Sequence, residues 1–145
     1  MNKDLVVSKT IKINTGAETI WQVLTVPEKI KLFLYGTNTS TDWKVGSTIK
    51  FEGEYQGNIY KDKGNVLKNI ENKELQYNYW STMSGTEDKL DNYSIITYSI
   101  NQLDETSSEF TWTQKGFGSE AGYEHTENTL FSMLEKIKEL AEAEL

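Results

Sequence analysis

Few side chains in this 145-residue sequence could do chemistry, because it contains one histidine, His125, and no cysteine. The lack of cysteine excludes disulfides, thiolate nucleophiles and cysteine-ligated metals. No serine lies in the strand–turn–helix setting of a nucleophile elbow, and a serine triad would have to use this one histidine. We therefore expect no catalytic triad, no metal site and no cofactor.

His125 itself has two interpretations. It lies about one turn into a predicted C-terminal helix, where it could be a polar anchor at the mouth of a cavity. It could also be an exposed helix residue, and the nearby acidic residues Glu124 and Glu127 favour this second interpretation.

The charge pattern argues against nucleic acid and membrane partners. The formal net charge is −7, and all fifteen basic residues are lysine. Without arginine the chain lacks the planar fork that reads guanine edges and holds phosphates by two contacts. Since there is no basic stripe either, counterion release would not favour binding to nucleic acid or to anionic lipid.

The N-terminal residues predict a cytoplasmic protein. Only three consecutive apolar residues, at positions 5–7, occur before polarity resumes. This run is too short for the core of a signal peptide, and no later apolar run approaches the length of a membrane span.

The positions of apolar residues predict one strand, two short helices, about five further strands and one long helix. The first strand is expected at residues 5–13, and a capping box formed by Thr15 and Glu18 should open the first helix. Pro27 suits the first turn of the second helix. From residue 49 onward the apolar period changes to two, which is typical of half-buried strands.

The long helix is expected over roughly residues 120–142, with Ser119 as its N-cap. Strands joined by short turns pair antiparallel, and one helix covers only one face of such a sheet. We therefore predict a single α+β domain over residues 1–145. A curled antiparallel sheet of six or seven strands should grip this helix, with two short helices after the first strand.

Alternating side chains along these strands should share the face that covers the helix. Buried tyrosine hydroxyls and indole N–H groups need hydrogen-bond partners, which favours a cavity with a few polar groups over a sealed core. For each aromatic taken alone, core packing is the simpler alternative. We expect a ligand cavity lined by eight residues: Phe51, Tyr79, Tyr98, Trp112, Gln114, His125, Leu130 and Leu134.

Four segments carry a resemblance to a known family. They are residues 18–30 (ETIWQVLTVPEKI), 42–47 (DWKVGS), 51–57 (FEGEYQG) and 62–67 (DKGNVL). In this order and at these distances they resemble the AHSA-type domains, named for the activator of heat-shock protein 90 ATPase, within the START-like SRPBCC superfamily. The resemblance covers about residues 7–140.

The resemblance implies the helix-grip (START/Bet v-like) fold, with a cavity between sheet and long helix that binds hydrophobic molecules in many relatives. Two positions depart from common family patterns. Gln114 stands where many members have a histidine, and Leu130 stands where many have a tryptophan. Both changes alter the predicted cavity lining, so the identity of a ligand does not transfer.

Three functions remain open at this point. The first is binding of a small hydrophobic molecule such as a lipid, polyketide or aromatic compound. The second is a co-chaperone or stress-response interaction with a chaperone partner, and the third is a polyketide cyclase or aromatase-like enzyme. The enzyme would need a general base in the cavity, for which His125 is the obvious candidate. We expect a monomer or weak dimer.

Overall fold

The computed structural model describes residues 1–144; Leu145, the last residue of the predicted domain, lies outside the described residues. In chain order the elements are β1 (Asn2–Ile13), α1 (Ala17–Thr25), α2 (Pro27–Phe33), β2 (Asn38–Ser40), β3 (Thr48–Tyr55), β4 (Asn58–Ile70), β5 (Glu74–Tyr79), a short 3-10 turn (Leu90–Asn92), β6 (Ser94–Asp104), β7 (Ser107–Phe117) and α3 (Glu120–Glu142).

The seven strands form one antiparallel sheet in the order β1-β7-β6-β5-β4-β3-β2. The helices α1 and α3 pack together, and α3 also packs against β1. The predicted α+β helix-grip fold, with a curled sheet around a long C-terminal helix, is therefore confirmed.

One strand, β2, is not among the elements that the apolar pattern predicted. The three residues of β2 pair with β3 at the edge of the sheet, where Asn38 lies opposite Glu52. A three-residue edge strand with exposed polar residues leaves too short an alternation to recognise.

The long helix begins and ends as predicted. The Ser119 hydroxyl accepts a hydrogen bond from the Gly122 backbone N–H at 3.0 Å, which satisfies one of the unpaired amides of the first turn. The helix buries Leu130, Leu134 and Ile137. Within residues 1–144, no helix combines the length and the apolar character needed to cross a bilayer.

The predicted capping box of α1 is wrong. The N-cap residue is Gly16, and no side chain of the box reaches the first turn. Instead, the Ala17 backbone N–H donates a hydrogen bond to Oε1 of Gln102, on β6, at 3.0 Å. A long-range partner thus replaces the local one that the sequence motif suggested.

A chain of aromatic rings fills the space between the sheet and the helices. The Trp112 ring lies 4.6 Å from that of Tyr98, and Phe33 of α2 contacts Trp112 edge-on at 6.4 Å. Tyr77 lies 5.5 Å from Tyr98, and Phe51 lies 5.8 Å from Tyr77, measured between ring centroids. All five side chains are buried, so this part of the interior is packed core.

The hydroxyl groups of Tyr77 and Tyr98 form a hydrogen bond with each other. Their hydroxyl oxygens lie 2.7 Å apart in the buried core. Burial raises the pKa of Tyr77 and of Tyr98 well above the ordinary value, because it disfavours the phenolate. Both hydroxyls therefore stay protonated and share one hydrogen bond.

We predict that Tyr77→Phe and Tyr98→Phe each lower the free energy of unfolding by about 1–3 kcal/mol, because each leaves the other hydroxyl buried without its partner. The double variant should cost clearly less than the sum of the two, since no hydroxyl is left unpaired. Urea unfolding of the four proteins measures the coupling. Strictly additive losses would show that the pair does not act as a unit.

Gly64 provides a test of the pairing between β4 and β5. A Cβ atom at this position would lie 1.8 Å from the Asn78 backbone oxygen, so Gly64→Ala should lower the free energy of unfolding by at least about 2 kcal/mol. The matched control is Gly16→Ala, where the nearest atom would lie at 3.6 Å and the cost should stay below about 1 kcal/mol. Equal losses in thermal unfolding would contradict the close approach of the two strands.

Candidate ligand-binding cleft

An open cleft of about 310 Å³ lies at the end of the sheet where α3 begins. The adjacent ends of β5, β6 and β7 form its floor, and the first turns of α3 form one wall. The opposite wall comes from residues 80–92, which connect β5 to β6 and contribute Trp80 and Met83. Two stretches of the chain, residues 79–94 and 114–126, therefore build this cleft.

The floor is a row of polar side chains on three neighbouring strands. Tyr79 on β5 lies directly opposite Ser94 on β6, and Gln114 on β7 lies opposite Ile96, two residues further along β6. The Gln114 amide Nε2 donates to Ser94 Oγ at 3.4 Å, and Ser94 Oγ donates to the Gly116 carbonyl at 2.8 Å. This row separates the open cleft from the packed aromatic core.

A buried carboxylate extends the row onto β4. The Asp62 side chain belongs to a residue only 7% exposed. It accepts hydrogen bonds from the Tyr79 hydroxyl at 2.5 Å, from the Thr82 backbone N–H at 3.1 Å and from the Thr82 hydroxyl at 3.4 Å. These donors replace the hydrogen bonds to water that the Asp62 carboxylate loses when it is buried.

The same contact fixes the protonation of Tyr79. Burial raises the pKa of its hydroxyl far above the ordinary value, and the Asp62 carboxylate beside it raises the pKa further, because both disfavour a phenolate. Tyr79 is therefore neutral and keeps its proton in the hydrogen bond to Asp62.

An ion pair and hydrogen bonds connect residues 80–92, the wall of the cleft, to β4. Lys63 of β4 pairs with Asp88, which also accepts from the Tyr93 hydroxyl at 2.6 Å. The hydrogen bond from Lys63 lowers the pKa of Asp88, and the same bond raises the pKa of Lys63. Within the wall, the Trp80 indole N–H donates to Thr86 Oγ1 at 3.2 Å. Because the ion pair is solvent-exposed, it contributes little to the free energy of unfolding. Its effect is to orient residues 80–92 relative to β4.

The structure divides the eight predicted cavity residues into two groups. Tyr79, Gln114 and His125 line the cleft, with His125 exposed at its mouth. The other five lie in the hydrophobic core and do not contribute to the lining: Phe51, Tyr98, Trp112, Leu130 and Leu134.

Asp62 and Ser94 belong to the site but were not predicted from the sequence. Asp62 occupies an inward-facing position of β4, in alternation with Gly64 and Val66, and a charged residue on an otherwise buried face was the available signal. Ser94 gave no signal, because a serine before a strand is common in any turn. The contribution of Trp80 depends on the path of residues 80–92, which no local pattern specifies.

The lining of the cleft carries almost no charge. It contains no lysine, arginine, aspartate or glutamate, and its titratable side chains are Tyr79 and His125. Within residues 1–144, no three histidine, cysteine, aspartate or glutamate side chains are grouped in the way a metal site needs. The arrangement is thus suited to an uncharged ligand held by aromatic contacts and hydrogen bonds.

Solved structures of this fold are similar to the chain over nearly its whole length. A protein from Cytophaga hutchinsonii, known from its solution structure, is 34% identical, with a TM-score of 0.82 over 99% of this chain and 98% of that chain. The Aha1 dimer from Colwellia psychrerythraea is 19% identical, with a TM-score of 0.70 over 92% of both chains. An HSP90 activator from Plasmodium falciparum is 13% identical, with a TM-score of 0.74 over 92% of this chain and 94% of that chain.

At these lower identities the last two structures show the fold alone. No curated protein matches the chain in sequence. The family model described as "Activator of Hsp90 ATPase homolog 1-like protein" matches residues 14–142, which confirms the resemblance inferred from the four sequence segments. The chain therefore belongs to the family of Activator of Hsp90 ATPase homolog 1-like proteins.

Proposed function

We propose that the protein binds a small hydrophobic ligand in the cleft between the end of the sheet and the first turns of α3. The observation that carries the proposal is the cleft itself, an open space of about 310 Å³ at the small end of the usual range for ligand sites. A lipid with long acyl chains would exceed this space, so a compact aromatic or polyketide-like molecule fits better.

The chemistry of the lining supports this proposal. Trp80, Met83 and Phe117 offer aromatic and apolar surface, while Tyr79 and Gln114 offer polar groups on the floor. Such a combination binds a flat apolar body and orients it through few hydrogen bonds. His125 would then contact the ligand from the mouth of the cleft.

The five core residues of the predicted site have an indirect part in this proposal. Trp112 and Tyr98 pack against each other beneath the floor, and Leu130 and Leu134 hold α3 against the core. Phe51 contacts the Tyr79 ring at 5.5 Å and so helps to position it. In this account they shape the cleft without touching the ligand.

Two other functions remain as alternatives. The family description and the HSP90 activator from Plasmodium falciparum favour an interaction with a chaperone. A cyclase or aromatase-like reaction would need a general base in the cleft, and His125 is the group of suitable type there. The cytoplasmic location and the monomeric or weakly dimeric state stay predictions.

Titration with naphthol tests the proposal, because this probe is flat, mainly apolar and small enough for the cleft. Amide NMR spectra should show shifts grouped at residues 79–86, 114–118 and 119–126. Thr126→Trp should weaken binding by at least about tenfold, because Thr126 lines the cleft and a larger side chain would occupy it.

The matched control is Asn128→Trp, which places the same side chain at an exposed position of the same helix, outside the lining. This variant should bind naphthol as the natural sequence does. The proposal fails if naphthol does not bind, or if both variants weaken binding equally. In that case, stimulation of purified HSP90 ATPase by this protein would support the chaperone alternative.

A further inference from the structure

We propose that the floor of the cleft selects its ligand by hydrogen-bond polarity, favouring an uncharged aromatic molecule that carries a hydroxyl or amino donor. This inference rests on the proposed function and specifies the ligand class. Its basis is the direction of the hydrogen bonds that the floor residues already make with one another.

Tyr79 can only accept a hydrogen bond from a ligand. A tyrosine hydroxyl has one proton, and that of Tyr79 is donated to Asp62 Oδ2 at 2.5 Å. A carboxylate has no proton to return, and the other oxygen of Asp62 is engaged by Thr82. The Ser81 hydroxyl also acts on this oxygen as a hydrogen-bond donor, so one lone pair of the Tyr79 oxygen is what remains for a ligand.

The Ser94 hydroxyl, like that of Tyr79, has no proton left to donate to a ligand. Its one proton goes to the Gly116 carbonyl, which is an obligate acceptor. Gln114 must then present an N–H group to Ser94 Oγ, as it does at 3.4 Å, and this orients its amide. The Gln114 Oε1 is left as a further acceptor, and the second amide hydrogen is the one donor of the row.

The floor consequently offers more acceptors than donors. A ligand hydroxyl or amino group can donate to Tyr79 or Gln114, whereas an ether oxygen at the same place would face lone pairs. A buried acceptor that loses its water without gaining a donor is costly. The polarity of the row thus discriminates between ligands of nearly equal shape.

The nearly uncharged lining adds a second basis for selectivity, which acts against anionic ligands. A ligand carboxylate or phosphate would meet the acceptors of the floor and find no lysine or arginine in the lining to compensate its charge. Only His125, at the exposed mouth, could provide a positive charge, and it lies on the helix wall and not in the floor row. Anionic ligands should therefore bind weakly.

Calorimetric titration with three matched compounds tests this inference on the unmodified protein. Naphthol, methoxynaphthalene and naphthoate, each substituted at the same ring position, share the apolar body and differ in the polar group. Naphthol should bind at least about tenfold more tightly than methoxynaphthalene, and naphthoate should bind weakest. Equal affinities for naphthol and methoxynaphthalene would overturn the polarity inference while leaving the proposed function in place. Failure of all three to bind would overturn both.

Asp62→Asn tests the origin of the polarity. An asparagine at this position can keep its oxygen toward the Thr82 backbone N–H and turn its amide N–H₂ toward Tyr79, which frees the Tyr79 proton for a ligand. The ratio of naphthol to methoxynaphthalene affinity should then fall several-fold. Asp4→Asn, at an exposed carboxylate of β1 outside the lining of the cleft, should leave the ratio unchanged. An unaltered ratio in Asp62→Asn would remove Asp62 as the residue that orients Tyr79.

Discussion

The burial of one carboxylate, that of Asp62, organises the cleft. A carboxyl group in a protein interior needs hydrogen-bond partners, because the loss of its hydration is otherwise costly. Here Tyr79 and Thr82 are those partners. The requirement places the Tyr79 ring at the boundary between core and cleft, and it attaches the start of the segment of residues 80–92 to β4. The polarity of the floor follows from the same contact.

Below this boundary the interior is closed by aromatic packing. Among residues 1–144, the Trp112 indole nitrogen is one of two buried side-chain polar atoms without a hydrogen-bond partner. An unpaired donor of this kind costs about 1–3 kcal/mol. The contacts of the Trp112 ring with Tyr98 and Phe33 offset this cost, since burial of a large aromatic side chain contributes at least as much. Ring packing therefore stabilises the buried position of Trp112.

The fold could be predicted from the sequence because its signals are local and periodic. Alternation of apolar residues identified β3 to β7, and the Ser119 cap marked the start of α3. The inward orientation of Phe51, Tyr98 and Trp112 followed from the same alternation. Exceptions arose where a distant partner intervened, as with Gln102 at the start of α1.

The extent of the cleft could not be predicted in this way. Polar-tipped aromatics in the interior suggested an open cavity, but the hydroxyls of Tyr77 and Tyr98 satisfy each other and need no cavity. Whether an inward-facing residue meets a ligand or the core depends on what covers it, and Phe33 of α2 covers Trp112. Such contacts join residues far apart in the chain, which period and spacing do not reveal.

The central claim is that a ligand stays in the cleft above the Tyr79, Ser94 and Gln114 row and does not enter the space between the sheet and the middle of α3. Intermolecular NOEs between naphthol and isotope-labelled protein test this directly. The account predicts NOEs from the naphthol ring to the side chains of Trp80 and Phe117, with none to Leu134 or Ile137. NOEs to Leu134 and Ile137 would show that the core opens for the ligand, and would contradict the account.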